Sequence, residues 1–345
     1  MITIKEIASL AGVSQTTVSN VIHGRTARVS EETLEKVRKI LKDKDYVSNM
    51  GAQIIGNHGS RLIALVLCYR TAERETLVVD PFAGTVIGAV ENAVRERGYF
   101  MILYNNADMD ECLQMARAWN IEGMILVGAQ RGDYYKLQAG LKIPMVSIDT
   151  IFEPEDSGYY NVGLKDFEGM ELMTDYLVSR GHRKIAFLTL GRSRFGYKAS
   201  EIDILRQEGY MAAMKKHGIK ARPEWMTPLK FDEADRIAQF EEFVHNDFLG
   251  CTALFFASDQ LAMEAIMTMT ELGVKVPDDI SVAGFDDIKL AHQMRPRLTT
   301  IHQDFSEKGK CAVQKLMKLI EGDKCNKADI RLPVSLVVRD TVKDI

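Results

Sequence analysis

The pattern of hydrophobic and polar positions changes near residue 60 of this 345-residue chain. Before that point, apolar residues recur at helical spacing in three short runs. Gly12 ends the first run, and Ser14 and Ser30 stand where the N-caps of a second and a third helix are expected. The pattern predicts a three-helix domain with a core so small that a partner is expected to help stabilise it.

Beyond residue 60, short apolar runs alternate with amphipathic stretches. The runs predicted to be strands are 62–68, 100–104, 124–127, 145–148, 184–189, 253–257, 281–285 and 333–338. The stretches predicted to be helices are 85–97, 109–119, 167–180, 202–217, 233–246, 260–272 and 305–321. Strands that are apolar throughout, with helices between them, are typical of parallel sheets covered on both faces. Their number predicts two doubly wound α/β halves rather than one sheet.

Charge divides the chain at the same place. The whole chain is 46% hydrophobic and 27% charged with a net charge of −4, an ordinary globular composition whose acidic balance argues against a nucleic-acid partner. Residues 1–60, however, hold eight Lys or Arg and six Asp or Glu, a net +2, and the remainder carries −6. The two parts can therefore have different partners.

The sequence does not favour a membrane protein, a secreted protein or a metal-binding protein. The apolar run at 62–69 is far shorter than the roughly 20 residues that a spanning helix needs. Lys5 and Glu6 occupy the place of a secretory apolar region, which predicts a cytoplasmic protein. Five scattered cysteines without a CxxC spacing predict small buried residues rather than disulfides or a metal site.

Catalytic motifs are also missing from the sequence. No GxGxxG or GxxxxGK[ST] loop follows a predicted strand, and neither HExxH nor GxSxG occurs. We therefore expect no catalytic residue, no cofactor and no metal. Two alternatives for the α/β part stay open at this point, a Rossmann-type enzyme and a cytoplasmic sugar-binding protein, neither of them with a DNA function.

Ala8, Gly12 and Val18 have the spacing of a helix-turn-helix, although any helical hairpin with a glycine turn would satisfy it. The surrounding string TIKEIASLAGVSQTTVSNVIHG, followed by VSEETLEKVRKIL and DYVSNMGAQII, resembles the N-terminal part of the LacI/GalR family of transcription regulators. The resemblance implies a helix-turn-helix DNA-binding domain over residues 1–46 and a hinge helix or linker over residues 47–60.

The same resemblance implies which residues contact DNA. Gln15, Thr16 and Asn20 fall on positions that face base edges in the major groove. Asn20 stands where the family commonly has Arg, and because Arg suits guanine and Asn suits adenine, we expect a different operator base there. The other candidates for DNA contacts, each of which could equally be a solvated surface residue, are Thr3, Ser14, Thr17, Ser19, His23 and Arg28.

The hinge of the family orders on the operator and inserts a Leu from each subunit into the minor groove. Matching it leaves Asn49 and Ala52 unchanged, whereas Gln53 replaces the usual Arg and Ile55 replaces the Leu. Loss of the Arg removes a minor-groove cation. Ile55 is apolar enough to enter between base steps, and we expect it to do so.

A second resemblance covers almost all of residues 61–340, through the strings DPFAGTVIGAVENAVRERGY, SRGHRKIAFL, LRQEGYMAAM, FFASDQLAMEAI, VPDDISVAGFDD and RPRLTTIHQDF. It implies the periplasmic-binding-protein-like core of this family, two Rossmann-like lobes joined by three crossings near 163–165, 301–303 and 331–333. The first lobe is then about residues 61–163 and 303–331, and the second about 164–301 and 332–345. A ligand is expected between the lobes, at the carboxyl ends of their strands.

Seven residues are the candidates for effector contacts. Asp149, Ser258 and Asp286 stand at strand ends, the resemblance implies Arg206 and Phe231, and Tyr69 and Phe82 lie at the corresponding rim of the first lobe. Asp149 and Asp286 directly follow predicted strands and can accept hydrogen bonds from sugar hydroxyls, and the fork of Arg206 suits a hydroxyl pair or a carboxylate. Phe231 either stacks on the ligand or belongs to the core. Asp259 and Asp287 are expected to cap helices or tie loops, and residues expected to be structural are His182, Trp119 and Trp225.

The resemblance implies a homodimeric repressor, expected to be cytoplasmic, that binds a pseudo-palindromic operator and is controlled by a small molecule, for which the habit of the family alone favours a sugar or sugar phosphate. We call the N-terminal DNA-binding domain, residues 1–46, the head. Effector binding is expected to change how far the lobes close, and so the spacing of the two heads of a dimer. Because the chain ends at Ile345 without a leucine-heptad tail, a dimer is favoured over a tetramer. Both an inducer and a corepressor are compatible with the sequence.

Overall fold

A computed structural model describes residues 2–22, 24–44, 46, 59–68, 80–106, 108–190, 201–323 and 328–345. They form two compact units, residues 1–60 and residues 61–345. Within the described residues, no helix is both long enough and apolar enough to cross a membrane.

The first unit is the predicted three-helix domain. Its helices are α1 (Ile4–Ala11), α2 (Gln15–Ile22) and α3 (Glu31–Asp43). Thr3 and Glu6 form a reciprocal capping box at the start of α1, and Ser30 caps α3. Gly12 has φ 67°, a left-handed conformation that lets the chain leave α1 and turn into α2. The buried core is Ile7, Ala8, Ala11, Val18, Val21, Leu34 and Val37, which confirms the inward positions of Ala8 and Val18.

The second unit contains two sheets. In chain order its strands are β1 (Leu62–Leu67), β2 (Phe100–Asn105), β3 (Gly123–Val127), β4 (Met145–Ile148), β5 (Asn161–Leu164), β6 (Ile185–Leu188), β7 (Ala253–Phe256), β8 (Ser281–Asp286), β9 (Thr299–His302), β10 (Asp329–Leu332) and β11 (Ser335–Val337). The first sheet has the order β10-β5-β4-β3-β1-β2, and the second has the order β11-β9-β8-β7-β6. All neighbours pair in parallel except β11, which is antiparallel to β9.

The helices of this unit are α4 (Pro81–Glu96), α5 (Met109–Ala118), α6 (Arg131–Gly140), α7 (Asp166–Ser179), α8 (Glu201–Lys216), α9 (Glu233–His245), α10 (Asp259–Glu271), α11 (Lys289–Gln293) and α12 (Phe305–Ile320), with short 3-10 helices at Pro223–Met226 and Asp247–Gly250. Helix α12 packs on α4 and on the first sheet, and α7 packs on α8 and on the second. We call the first sheet with its helices the first lobe, and the second sheet with its helices the second lobe.

Three parts of the sequence-based prediction are wrong. The strand predicted at 333–338 is present as β11, but it is antiparallel to β9 rather than parallel, and β10, which precedes it in the other sheet, was not predicted. The prediction omitted β5, β9, α6 and α11 because polar residues and glycine interrupt their apolar pattern, as in the NVGL of β5. The prediction that the strands are covered on both faces is wrong for the edge strand β2, in which Phe100 is 56% exposed.

The chain passes between the lobes three times. It leaves β5 at Leu164 for α7 of the second lobe, leaves β9 at His302 for α12 of the first, and leaves β10 at Leu332 for β11 of the second. Leu164 and Leu332 therefore belong to first-lobe strands although the predicted boundaries assigned them to the second lobe, and His302 lies between the predicted ranges. The crossings bring the carboxyl ends of β4 and β8 to a common cleft, which the hydrogen bonds described below span.

Candidate DNA-reading surface and effector cleft

The start of α2 is exposed to solvent. Val18 and Val21 face the core of the head, which directs Ser14, Gln15 and Thr16 outward. The Ser14 hydroxyl oxygen accepts a hydrogen bond from the Thr17 backbone N–H at 3.0 Å and so begins the helix. The side chains of Gln15 and Thr16 are therefore free of the core and available for base edges.

The remaining predicted DNA contacts are distributed around the head. Thr17, Ser19 and Asn20 are half-buried on α2, and Arg28 is exposed before α3. Thr3 is exposed but engaged in the α1 capping box, whose hydrogen bonds lower the pKa of Glu6. Residues His23, Asn49, Ala52, Gln53 and Ile55, like Tyr69 of the predicted effector set, lie outside the described residues.

In the second unit, the backbone is left-handed at the carboxyl ends of two central strands. Asp149 follows β4 with φ 59°, Asp286 ends β8 with φ 127°, and Asp287 follows with φ 60°. Left-handed backbone is unfavourable for residues other than glycine, although Asp tolerates it better than most. Such strain is characteristic of functional sites, where it aims a side chain. The two strand ends that sequence reasoning selected are therefore also conformationally unusual.

Arg206 connects carboxylates of the second lobe. Its Nε donates to Asp166 Oδ1 at 2.8 Å, and its guanidinium carbon lies 3.7 Å from the centre of the Phe285 ring. Its Nη1 also donates to the Ala257 carbonyl, and its Nη2 lies 4.0 Å from Asp286 Oδ1. Burial raises the pKa of Asp286 to about 8, and the positive charge of Arg206 opposes this shift. The guanidinium is thus a buried counter-ion as well as a candidate ligand contact.

A lysine performs the same task in the first lobe. Lys308 of α12 is fully buried, and its Nζ lies 2.7 Å from Asp149 Oδ2 and 2.8 Å from Gln303 Oε1. The Gln303 amide in turn donates to Asp286 Oδ1 at 2.6 Å. A continuous line of hydrogen bonds therefore runs from Asp149 in the first lobe to Asp286 in the second.

The aromatic and hydroxyl candidates take different positions. Phe82 lies in the first turn of α4, where its ring meets the Phe305 ring edge-on at 5.5 Å. Ser258 caps α10 by accepting from the Leu261 N–H. Phe231 is half-buried before α9. Phe82 and Asp149 thus share Lys308 as a neighbour. Asp286 is linked to Lys308 through Gln303 and lies near Arg206. Ser258, by contrast, has a local structural role.

The residues that were expected to have structural roles are engaged within the protein, with one exception. Asp259 accepts from the Ile288 N–H and the Thr300 hydroxyl, and the Asp287 carboxylate pairs with Arg339. His182 is buried between the Thr252 hydroxyl and the Lys343 carbonyl, and burial lowers its pKa. Trp119, which was expected to have a packing role, is the exception, because it is 58% exposed at the end of α5. Trp225, by contrast, is buried.

Sequence reasoning missed three cleft residues, Asp166, Gln303 and Lys308. A signal for Lys308 was present, since it lies three residues after Phe305 and four before Ala312, on the inward face of an amphipathic helix. A lysine at such a position requires a buried partner. No comparable pattern marks Asp166 or Gln303, which reach the cleft only because the chain crosses between lobes beside them.

A helix-turn-helix head joined to a two-lobed α/β core with a charged cleft defines a class of ligand-controlled DNA-binding proteins. Residues 3–49 match the family of bacterial regulatory proteins of the lacI type, and residues 174–342 match a periplasmic binding protein-like domain. The HTH-type transcriptional repressor PurR of Vibrio vulnificus is 32% identical over 100% of both chains, and that of Pasteurella multocida is 30% identical over 99% of both. The chain belongs to the LacI family and is a DNA-binding transcription regulator.

Solved structures agree with this assignment. The Lac repressor dimer bound to operator and the anti-inducer ONPF superimposes with a TM-score of 0.82 and 25% identity, covering 99% of each chain. A complex of the transcriptional regulator CelR with cellobiose gives a TM-score of 0.71 at 25% identity, covering 99% of this chain and 100% of the other. The described elements thus follow the fold of complete regulators, head and core included.

Proposed function

We propose that this chain is a cytoplasmic repressor that binds a pseudo-palindromic operator as a homodimer and responds to a small, sugar-like effector in the cleft between its lobes. The observation that carries the proposal is the presence, in one chain, of an exposed recognition-helix start and a cleft with polar groups from both lobes. Neither a sugar-binding protein nor a Rossmann-type enzyme needs an exposed recognition helix.

Operator binding in this proposal depends on two heads. The net charge of residues 1–60 is only +2, by the count of eight basic and six acidic residues, so one head gains little affinity from phosphate contacts. Pairing two heads in a dimer makes the second contact effectively intramolecular and supplies the missing affinity. The dimeric, operator-bound Lac repressor supports this arrangement. Gln15, Thr16 and Asn20 then read bases, and the other head and hinge candidates contact the backbone or the minor groove.

Free acceptors in the cleft suit a ligand that is rich in hydrogen-bond donors. Among the residues that the structure describes, no group donates a hydrogen bond to the buried atoms Asp149 Oδ1 and Asp166 Oδ2. An unpaired buried acceptor is costly, so a donor supplied by a ligand or by water is favourable there. Sugar hydroxyls are donors of this kind, and the cellobiose complex of CelR supports the same class of ligand.

Control of DNA binding follows from the position of the cleft. A ligand that contacts both lobes binds one lobe arrangement better than another and shifts the population toward it. Because the first lobe directly follows the hinge in the chain, a changed lobe arrangement alters the spacing of the two heads. The effector therefore either releases or strengthens operator binding, according to which arrangement it prefers.

The effector part is tested by a thermal-shift screen of the full chain against sugars, sugar phosphates and purines. We expect a hit to raise Tm of the wild-type chain and of the control Arg297→Ala, whose exposed guanidinium pairs with Asp340. The same hit is expected to leave Arg206→Ala unshifted. If Arg206→Ala does not fold, the near-isosteric Asp286→Asn takes its place. Equal shifts in the control and the cleft variants would place the effector elsewhere.

The operator part is tested by selecting oligonucleotides with the dimer and measuring their affinity by fluorescence anisotropy. Gln15→Ala is expected to weaken binding by about 1–3 kcal/mol and relax the preference at one base pair in each half-site. Gln114→Ala, at an exposed glutamine of α5, serves as the matched control. An unchanged affinity and preference in Gln15→Ala would refute the assignment of α2 as the recognition helix.

A further inference from the structure

Lys308 is an unusual residue for the interior of a protein. Its side chain has no exposed surface, and it projects from the first turns of α12 beside the effector cleft. Burying an ammonium group is strongly unfavourable unless it is paired and hydrogen-bonded. The contacts that compensate for this burial therefore reveal what the lysine does.

Three groups surround the Lys308 ammonium. Asp149 Oδ2 lies 2.7 Å from Nζ, Gln303 Oε1 lies 2.8 Å from it, and the Phe82 ring centre lies 5.1 Å away. Two of these neighbours, Asp149 and Phe82, are candidates for effector contact. The lysine is thus connected to the wall of the cleft, and two of its three N–H donors are directed at protein acceptors.

Gln303 orients this arrangement. Its Oε1 can only accept, which suits the Lys308 ammonium, and its Nε2 can only donate, which suits Asp286 Oδ1 at 2.6 Å. Reversing the amide would place its N–H donors against the Lys308 ammonium. The amide is therefore held in one orientation, and it keeps Nζ aimed at Asp149.

Asp149 would have a different electrostatic character without Lys308. Burial raises its pKa, and the charge of Lys308 opposes that rise. The other charged groups that act on it are Asp166 of α7 and Arg206 of α8, which have opposite signs. With Lys308 present, the carboxylate is part of a neutral pair, and no group in the described part of the chain donates to its Oδ1.

We propose that Lys308 is a specificity-determining residue of the cleft: as the internal counter-ion of Asp149, it makes the first-lobe wall select a neutral hydroxyl or N–H donor over a ligand ammonium group. This inference rests on the proposed function, in which the effector binds this cleft. A ligand ammonium would bring a second positive charge beside Lys308, whereas a hydroxyl donates to Asp149 Oδ1 without adding charge. No phosphate contact is expected from Lys308, because Asp149 and Gln303 already engage its ammonium.

The test compares matched sugars that differ only in an amino group: D-glucose with D-glucosamine, and D-galactose with D-galactosamine. Dissociation constants are measured by calorimetry for the full-length wild type, Lys308→Met and Lys308→Met/Asp149→Asn. We expect the wild type to prefer the neutral sugar at least tenfold, and Lys308→Met to lower that preference at least tenfold, because Asp149 is then unpaired. The double variant removes both charges, so the relative improvement in amino-sugar binding that Lys308→Met shows is expected to disappear.

A ligand-free measurement detects the same counter-ion role. In Lys308→Met, the pKa of Asp149 in the folded state rises further above its unfolded value, so the variant loses stability as pH increases through that folded pKa. We therefore expect Lys308→Met to lower Tm more at pH 8 than at pH 5, and the double variant to show a deficit that does not depend on pH. Equal Tm deficits of Lys308→Met at both pH values would overturn the counter-ion role.

The outcomes separate this inference from the proposed function. An unchanged preference between neutral and amino sugars in Lys308→Met overturns the inference, although the sugars still bind and the effector site stands. Binding of no sugar to the wild-type chain also overturns it, and operator binding by the dimer is then judged separately by anisotropy. If Lys308→Met does not fold, Lys308→Gln, which keeps a hydrogen-bond donor for Asp149 but removes the charge, takes its place.

Discussion

Gly284 in the middle of β8 offers a direct test of how the second lobe positions its cleft carboxylate. A Cβ added at this position would lie 2.3 Å from Asp259 Oδ1 and 2.9 Å from Leu298 Cδ2. Asp259 cannot simply rotate away, because Oδ1 accepts from the Thr300 hydroxyl and Oδ2 accepts from the Ile288 N–H. Ile288 follows Asp286 by two residues, so this clamp holds the backbone that carries the cleft carboxylate.

The cost of Gly284→Ala follows from these contacts. Overpacking a buried site costs about 1–3 kcal/mol. Displacing the Asp259 carboxylate leaves a buried donor unpaired, which costs a further amount of about 1–3 kcal/mol. We therefore expect the second lobe to lose about 2–6 kcal/mol of unfolding free energy, and the effector to bind more weakly because Asp286 is less well held.

Urea unfolding followed by tryptophan fluorescence measures this loss, because Trp225 is buried in the second lobe whereas Trp119 is largely exposed. The matched control is Gly88→Ala, at a helical glycine of α4 whose added Cβ meets nothing within 4 Å. The control is expected to gain about 0.5–1 kcal/mol from reduced chain entropy. A Gly284→Ala variant as stable as the wild type, or a control that is equally destabilised, would refute the reasoning.

Three further predictions concern the head, a buried histidine and the thiols. Asn20→Arg is expected to move the preferred half-site base from adenine toward guanine by about 1–3 kcal/mol, and an unchanged selected sequence would contradict it. Because burial lowers the pKa of His182, its contribution to stability is present above the ordinary pKa of histidine and is lost as pH falls, so Tm should decrease from pH 7.5 to 5.5 more steeply than in His182→Asn. Burial raises the pKa values of Cys112 and Cys251 to about 12, so both thiols should resist alkylation at pH 8 until urea unfolds the chain, as peptide mass spectrometry would show.

Prediction from sequence was most successful where local chemistry decides the outcome. Gly12 with φ 67° and Ser30 as an N-cap are found as predicted, because a left-handed turn and a helix start each depend on a few neighbouring residues. The apolar strands β1, β3 and β4 were also correctly located, since they are buried and uninterrupted. The short strands β5 and β9 were missed because pairing with neighbours, rather than their own composition, makes them strands.

The cleft shows the same division between local and tertiary information. Asp149 and Asp286 were predicted from their places after apolar strands, and the structure adds that both have left-handed backbone. Ser258 was correctly located at a strand end, but its hydroxyl caps α10. Trp119 was misjudged because a large aromatic residue suggests burial, whereas the end of α5 leaves it at the surface.

By itself, the sequence determined the division of the chain near residue 60, the helix-turn-helix, the α/β character of the core and the strand-end carboxylates, because periodicity, caps and charge are local properties. Only the tertiary structure decided which groups meet. Lys308 lies 5 residues from Gln303 and 142 residues from Asp166 along the chain. All three line one charged cleft because the chain crosses three times between the two sheets. Whether a buried lysine or aspartate is tolerated depends on a partner brought from elsewhere in the chain, and that partner is specified by the fold rather than by the adjacent residues.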